Sequence, residues 1–149
     1  MPVRQISVLE ASAQQAEGGV YLDVRSTREY GDGHPAGAVN IPLLEADEDT
    51  GDMMPNPDFL RVVKANFSPQ TRLLVGCQVG GRSTRAAEIL QAFGFADVAN
   101  VRGGFGGSCD HSSGRVIDPG WAESGLPVEQ QAPPGGSYSH LLANAAPDR

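Results

Sequence analysis

The chain has 149 residues, room for one domain with a real core and little else. Its net charge of −7 argues against general nucleic-acid binding, and no apolar stretch approaches the roughly 20 residues that a membrane span requires. The two cysteines, Cys77 and Cys109, form no Cys-x-x-Cys pair, which argues against a disulfide framework or a structural zinc site.

The N-terminal Met1-Pro2-Val3-Arg4-Gln5 lacks the apolar core of a secretory signal, so a cytoplasmic protein is expected. A short strand is expected near Gln5-Ile6. Residues 7–16 read as a helix with Ser7 as its N-cap, ended by Gly18-Gly19. Val20-Tyr21-Leu22-Asp23-Val24 is nearly all apolar, the pattern of a strand buried on both faces. Residues 26–30 suggest a short helix, with Arg25 and Glu29 spaced to pair at i,i+4. After a turn at Gly31-Asp32-Gly33, residues 38–42 read as a third strand.

Five acids then lie close together: Glu45, Asp47, Glu48, Asp49 and Asp52. A solvated loop is the plain reading of such a run; docking a basic partner or repelling anions is the functional one. Residues 57–67 place Phe59, Leu60, Val63 and Phe67 at helical spacing, and Arg72-Leu73-Leu74-Val75-Gly76 reads as the fourth strand. Residues 83–93 suggest a helix with Ala86, Ala87, Ile89, Leu90 and Phe93 on its apolar face, and residues 97–101 a fifth strand. The Gly- and Ser-rich stretch 103–120 supports no assigned element, and Trp121-Ala122-Glu123 fits a last helical turn. From residue 129 the chain (Gln130-Gln131-Ala132-Pro133-Pro134-Gly135-Gly136) has the makeup of a disordered extension. Strands alternating with helices predict an α/β fold: one domain over residues 5–128, with a central, mostly parallel five-stranded sheet flanked by helices on both faces, and a tail over 129–149.

Ligands of such folds bind at the carboxyl ends of the strands. Cys77 stands at one of those ends, and Gln78-Val79-Gly80-Gly81-Arg82 leads from it into the helix that begins near Ser83. Backbone N–H groups of a tight loop before a helix converge on one point, and the helix dipole adds partial positive charge. That setting favours a thiolate, which makes Cys77 a candidate nucleophile.

Four stretches carry a resemblance over about residues 5–128. They are Leu22-Asp23-Val24-Arg25 with Glu29-Tyr30; the run from Gly33-His34-Pro35 to Asn40-Ile41-Pro42; the loop from Cys77 to Ser83; and Gly103-Gly104-Phe105 followed by Trp121 and Gly125-Leu126-Pro127. In this order they resemble the rhodanese family of single-domain sulfurtransferases. The resemblance implies that Cys77 takes the outer sulfur of a donor such as thiosulfate as a persulfide and passes it to cyanide or a thiol, with no cofactor and no metal. A small-molecule donor and a thiol acceptor, or a protein sulfur acceptor, are the implied partners; no nucleic acid or membrane is.

The chemistry agrees with the resemblance. Thiolate and persulfide are both anions that need fixed donors, which the amides of Gln78, Val79, Gly80, Gly81 and Arg82 are expected to supply. Gly80 and Gly81 permit the tight turn. Arg82 either contacts an anionic donor or braces the loop, and bracing is the favoured role for its fixed fork. Asp23, Arg25 and Ser83 are expected to support the loop, Asp23 by accepting from Arg82 or the loop backbone. His34 belongs to a structural turn.

Two other function classes compete. A cysteine phosphatase also places cysteine and arginine around an anion-binding loop, but only four residues separate Cys77 from Arg82, one fewer than such enzymes use. A smaller ring suits one sulfur better than a phosphate. A non-catalytic sulfur carrier or regulatory module is the second alternative, although Cys77 is retained. The stretch 105–120 looks like an insertion relative to the family. Within it Cys109 is either an incidental thiol or a resolving partner of Cys77, and with His111 alone it makes no metal site. Pro35 stands where the family more often has an aliphatic residue.

Overall fold

A computed structural model describes residues 3–47, 49–78, 81–109 and 112–145. In chain order the elements are β1 (Arg4–Ile6), α1 (Val8–Ala16), β2 (Val20–Asp23), α2 (Thr27–Asp32), β3 (His34–Pro35) and β4 (Val39–Asn40). A hairpin of β5 (Leu44–Ala46) and β6 (Met53–Pro55) leads to α3 (Phe59–Asn66), β7 (Leu73–Gly76), α4 (Gly81–Ala92) and β8 (Val98–Val101). A second hairpin, β9 (Ser108–Cys109) and β10 (Val116–Asp118), precedes β11 (Val128–Glu129) and α5 (Tyr138–Asn144).

The central sheet has five strands in the order β1-β8-β7-β2-β4, every neighbouring pair parallel. Its strands are short apolar runs because both faces are covered and every side chain must leave water. The pleat sends Leu22, Leu73, Val75 and Val98 to one face, where they pack with Phe59, Val62 and Val63 of α3 and Ala86, Ala87 and Leu90 of α4. Tyr21, Leu74, Ala99 and Val101 face the other way, onto Val8 and Ala11 of α1, Tyr30 of α2, and Trp121. Ser7 and Ser26 each start a helix by accepting from the amide three residues on. Glu10 and Glu29 return the bond to the serine amide, a capping box in both places.

The predicted architecture and its five core strands therefore stand, with several local corrections. Arg25 does not pair with Glu29; it turns inward to Asp23, and Glu29 faces Arg82 instead. Phe93 is not part of the buried face of α4. It lies beyond the last helical residue and is 56% exposed, with Lys64 Nζ 5.3 Å from its ring centre. Trp121 sits in a turn rather than a helix; it is buried edge-on against Tyr21 and donates its indole N–H to Pro127 O at 2.7 Å. The acidic run caps the β5–β6 hairpin, with Glu48 outside the described residues.

The largest correction concerns the tail. Glu129 pairs with His34 in an antiparallel β11–β3 ladder, and the amide of Asn40 donates to Gly136 O. Ser137 then caps α5, which buries Leu141 in the α3–α4 core. Asn66 Nδ2 donates to Leu141 O at 2.9 Å, and Asn56 Nδ2 to the Tyr138 hydroxyl at 3.0 Å. Composition hid this because the tail's few apolar residues are diluted by Gly, Pro and Ser. Tyr138, Leu141 and Leu142 nonetheless recur at i, i+3, i+4 on one helical stripe. Replacing Leu141 by Ala is expected to cost about 2–4 kcal/mol of stability in urea unfolding, the range for deleting a buried leucine side chain. An unchanged midpoint would return the tail to the disordered extension that its composition suggests.

Candidate functional site

β2 and β7 lie in register with Asp23 opposite Gly76. Cys77 follows directly, at the carboxyl edge of the central strand, and is 2% exposed. Gly76 itself leaves no room for a side chain, because a Cβ there would collide with the buried Tyr21 hydroxyl. Burial raises the pKa of that phenol well above its ordinary value, so it remains neutral beneath the site.

The loop backbone is held from the far side by the segment after β8. Phe105 N–H donates to Cys77 O at 2.8 Å, and Gly106 N–H donates to Gln78 O at 2.9 Å. These bonds draw the two carbonyl oxygens toward the 103–107 segment. The approach is close enough that a Cβ on Gly104, at φ +54°, would collide with the Cys77 carbonyl.

Among the described residues, the first turn of α4 makes polar contacts to the sulfur. Ser83 N–H donates to Cys77 Sγ at 3.4 Å, and the Ser83 hydroxyl lies 3.3 Å from the same atom. The hydroxyl also reaches Asn100 Oδ1 at 2.5 Å, and Asn100 Nδ2 donates to Gln5 Oε1 at 2.8 Å. A chain of hydrogen bonds thus runs from the buried thiol, through β8, to an exposed residue on the edge strand β1. Asn100 is 3% exposed in an otherwise apolar strand.

Two ion pairs flank the loop. Arg82 grips Glu29 with both forks, Nη1 to Oε1 at 2.6 Å and Nη2 to Oε2 at 2.9 Å. Those hydrogen bonds hold the Glu29 carboxyl down at about 2, and they raise the pKa of Arg82. Arg25 and Asp23 form a fully buried pair at 2.8 Å, with further bonds from the Arg25 amide and Nε. Arg25 Nη2 also donates to Gly33 O at 2.7 Å, Nη1 reaches Gln78 Oε1 at 3.4 Å, and the guanidinium lies 4.5 Å over the Phe105 ring.

Cys77, Gln78, Gly81, Arg82, Ser83, Asp23 and Arg25 are thus gathered around one strand end, while Val79 and Gly80 lie outside the described residues. The expected bond from Arg82 to Asp23 is replaced, since Asp23 is taken by Arg25 and Arg82 by Glu29. His34 is fully buried away from these contacts. Its ring stacks on Tyr30 at 3.7 Å, with Nδ1 2.8 Å from Tyr30 O and Nε2 3.1 Å from Gln131 O. The Cys109 side chain, Asp110 and His111 lie outside the described residues. Sequence reasoning missed Asn100, although a lone amide in the run Val98-Ala99-Asn100-Val101 is itself a signal.

Residues 7–110 match the rhodanese-like domain family. The chain is 36% identical over 124 residues to thiosulfate sulfurtransferase 16, chloroplastic, of Arabidopsis thaliana, covering 83% of this chain and 91% of that protein. It is 34% identical over 110 residues to senescence-associated protein DIN1 of Raphanus sativus; there it covers 74% of this chain and spans about half, 52%, of the relative. The crystal structure of Rv0390 from M. tuberculosis superposes with a TM-score of 0.70 at 26% identity, covering 88% of this chain and 100% of that one. No helix among the described residues is long and apolar enough to cross a membrane.

The Arg82–Glu29 pair makes stability depend on pH. Its folded carboxyl value is depressed, so its contribution is complete above the ordinary value of 4.5 and is lost as pH falls toward about 2. The stability difference between wild type and Glu29→Gln in urea unfolding should therefore be largest near neutrality and shrink through that acid window. A difference that grows on acidification would break the assignment.

Proposed function

The chain belongs to the rhodanese-like domain family, and from that membership we propose that it is a sulfurtransferase working through a persulfide on Cys77. The observation that supports the reading is the Ser83 amide donating to a buried sulfur at a helix N-terminus, with the Ser83 hydroxyl in contact with the same atom. With thiosulfate as donor, the Cys77 thiolate attacks the outer sulfur. The sulfur–sulfur bond of thiosulfate breaks and sulfite leaves with the electron pair, so the negative charge moves to the terminal sulfur of the new persulfide. Cyanide or a thiolate then takes that sulfur and releases Cys77 as thiolate. Each state at Cys77 carries one negative charge, so a fixed set of donors serves the whole cycle without rearranging.

Ser83 has a single hydroxyl proton to give, and two neighbours that can take it. With the thiol protonated, the proton runs to Asn100 Oδ1 and the sulfur donates to Ser83. With the sulfur anionic, the hydroxyl turns to it, and Asn100 rotates its amide to present N–H to Ser83. Gln5 can match either orientation because it is exposed to water. Asn100 is therefore a positioning residue for the hydroxyl that faces the sulfur.

Wild-type protein treated with thiosulfate should gain the mass of one sulfur atom, removable by cyanide as thiocyanate. Cys77→Ser should do neither. Release of phosphate from an aryl phosphate without sulfur transfer would reverse the reading in favour of a phosphatase. Ser83→Ala should slow sulfur loading about tenfold or more, the effect of removing a hydrogen bond to an anion. Asn100→Leu should slow it less and add nothing in the Ser83→Ala background, because it acts through that hydroxyl. Fully additive losses in single-turnover loading would make Asn100 a structural residue only.

A further inference from the structure

A cavity of about 540 Å³ opens beside the loop. Gly81 and Arg82, which start α4, form part of its wall, so it ends where the loop carrying Cys77 ends. Phe59 and Leu60 of α3, Ile89 of α4 and Leu44 of the first hairpin are among its other walls, and the surface is mostly apolar. Its size falls in the range of about 300–1,000 Å³ found for organic-ligand sites. Thiosulfate and cyanide are far too small to fill it, and neither has an apolar portion to use its walls.

Two arginines line the cavity, and they are unequal: Arg82 is engaged by Glu29. Arg85, one turn along α4 from Arg82, also lines the cavity, is exposed, and makes no ion pair among the described residues. Among the described residues, an acidic chain thus presents an exposed cation without an ion pair on the wall of an apolar chamber.

We infer that this cavity holds the sulfur acceptor, and that the acceptor is an aliphatic thiol carrying a terminal carboxylate or comparable anion, with Arg85 as its specificity-determining residue. The inference rests on the sulfurtransferase reading and names the acceptor for that same site. The aliphatic chain lies on Phe59, Leu60 and Ile89, the anion meets the Arg85 guanidinium, and the thiol end points to the loop. There the acceptor thiolate attacks the terminal sulfur of the Cys77 persulfide. The bond from that sulfur to Cys77 Sγ breaks, Cys77 departs as thiolate, and the acceptor leaves as its own persulfide. No outside oxidant or reductant is required.

The test uses the full chain with thiosulfate as donor and three acceptors of equal length: mercaptohexanoate, mercaptohexanol and aminohexanethiol. KM should rise in that order, with the carboxylate about fivefold below the alcohol, the scale of one partly exposed ion pair. Raising the salt concentration should narrow the gap. Arg85→Gln should bring the carboxylate-to-alcohol ratio of KM close to one, and Arg85→Lys should retain most of it. Leu60→Ser should raise KM for all three thiols together. Transfer to all three with equal KM in the wild type would overturn the inference while leaving sulfur transfer intact. Failure to transfer sulfur to any thiol or to cyanide would overturn the sulfurtransferase reading with it.

Discussion

Amides of a tight loop can face a common point only if its carbonyls face elsewhere, and that is the constraint on which this site depends. Cys77 O and Gln78 O are drawn away by N–H groups of Phe105 and Gly106, residues that follow the last strand of the core sheet. The bonds require the two segments to approach within backbone contact, which Gly104 allows by having no side chain to set against the Cys77 carbonyl. The same segment sends the Phe105 ring under Arg25, whose fork reaches Asp23 and Gln78. Loop position, buried ion pair and the chain after β8 are therefore one mechanical unit. A disturbance in the 103–107 segment reaches the sulfur without touching it.

What the sequence disclosed and what it concealed divides by the range of the interaction. The core strands were legible because a doubly covered parallel strand must be continuously apolar, as Leu73-Leu74-Val75 is. Ser7 was legible as a cap because the bond it makes spans three residues. The loop announced itself through a cysteine placed between such a strand and a helix. The partner of Arg82 was not legible, since Glu29 lies 53 residues away and the local i,i+4 rule offered Arg25 as its mate. Local pairing lost there because Arg25 gains a fully buried bidentate partner in Asp23, which a surface pair on a short helix cannot match. Asn100 was open to inference, since a buried amide in a strand needs partners, but nothing in the sequence says which. The tail failed for a different reason: average composition describes solvation, whereas a single stripe of Tyr138, Leu141 and Leu142 decides docking.

The three arginines near the strand end differ in what they can do, and the difference is environmental rather than chemical. Arg25 is sealed against Asp23 and serves packing and orientation, because its Nε and Nη2 groups are bonded to Asp23 and Gly33 O inside the protein. Arg82 is partly exposed, and Nη1 and Nη2 each hold one oxygen of the Glu29 carboxylate, which braces the side chain against α2. Arg85 alone of the three is exposed without an ion pair among the described residues, and it also lines the apolar chamber.

This division separates two requirements that conflict at a single residue. Stabilising a sulfur anion asks for donors that do not move, and a guanidinium held by both oxygens of Glu29 ties the first turn of α4, which carries the Ser83 amide, to α2. On the proposed sulfur-transfer reading, selecting an acceptor asks for a cation that can reach, adapt and release, since a product persulfide would have to leave after every turnover. A braced arginine serves the first need and would fail the second; a loosely held one does the reverse. Arg82 and Arg85 stand three residues apart on one helix, with the brace at the loop and the exposed charge one turn outward, so on this reading one element would meet both needs. The cost of that arrangement is a rim whose attraction is weak and salt-sensitive. On the sulfurtransferase reading, weak attraction at the rim is compatible with rapid release of the acceptor, while the apolar wall holds the aliphatic chain of each acceptor alike.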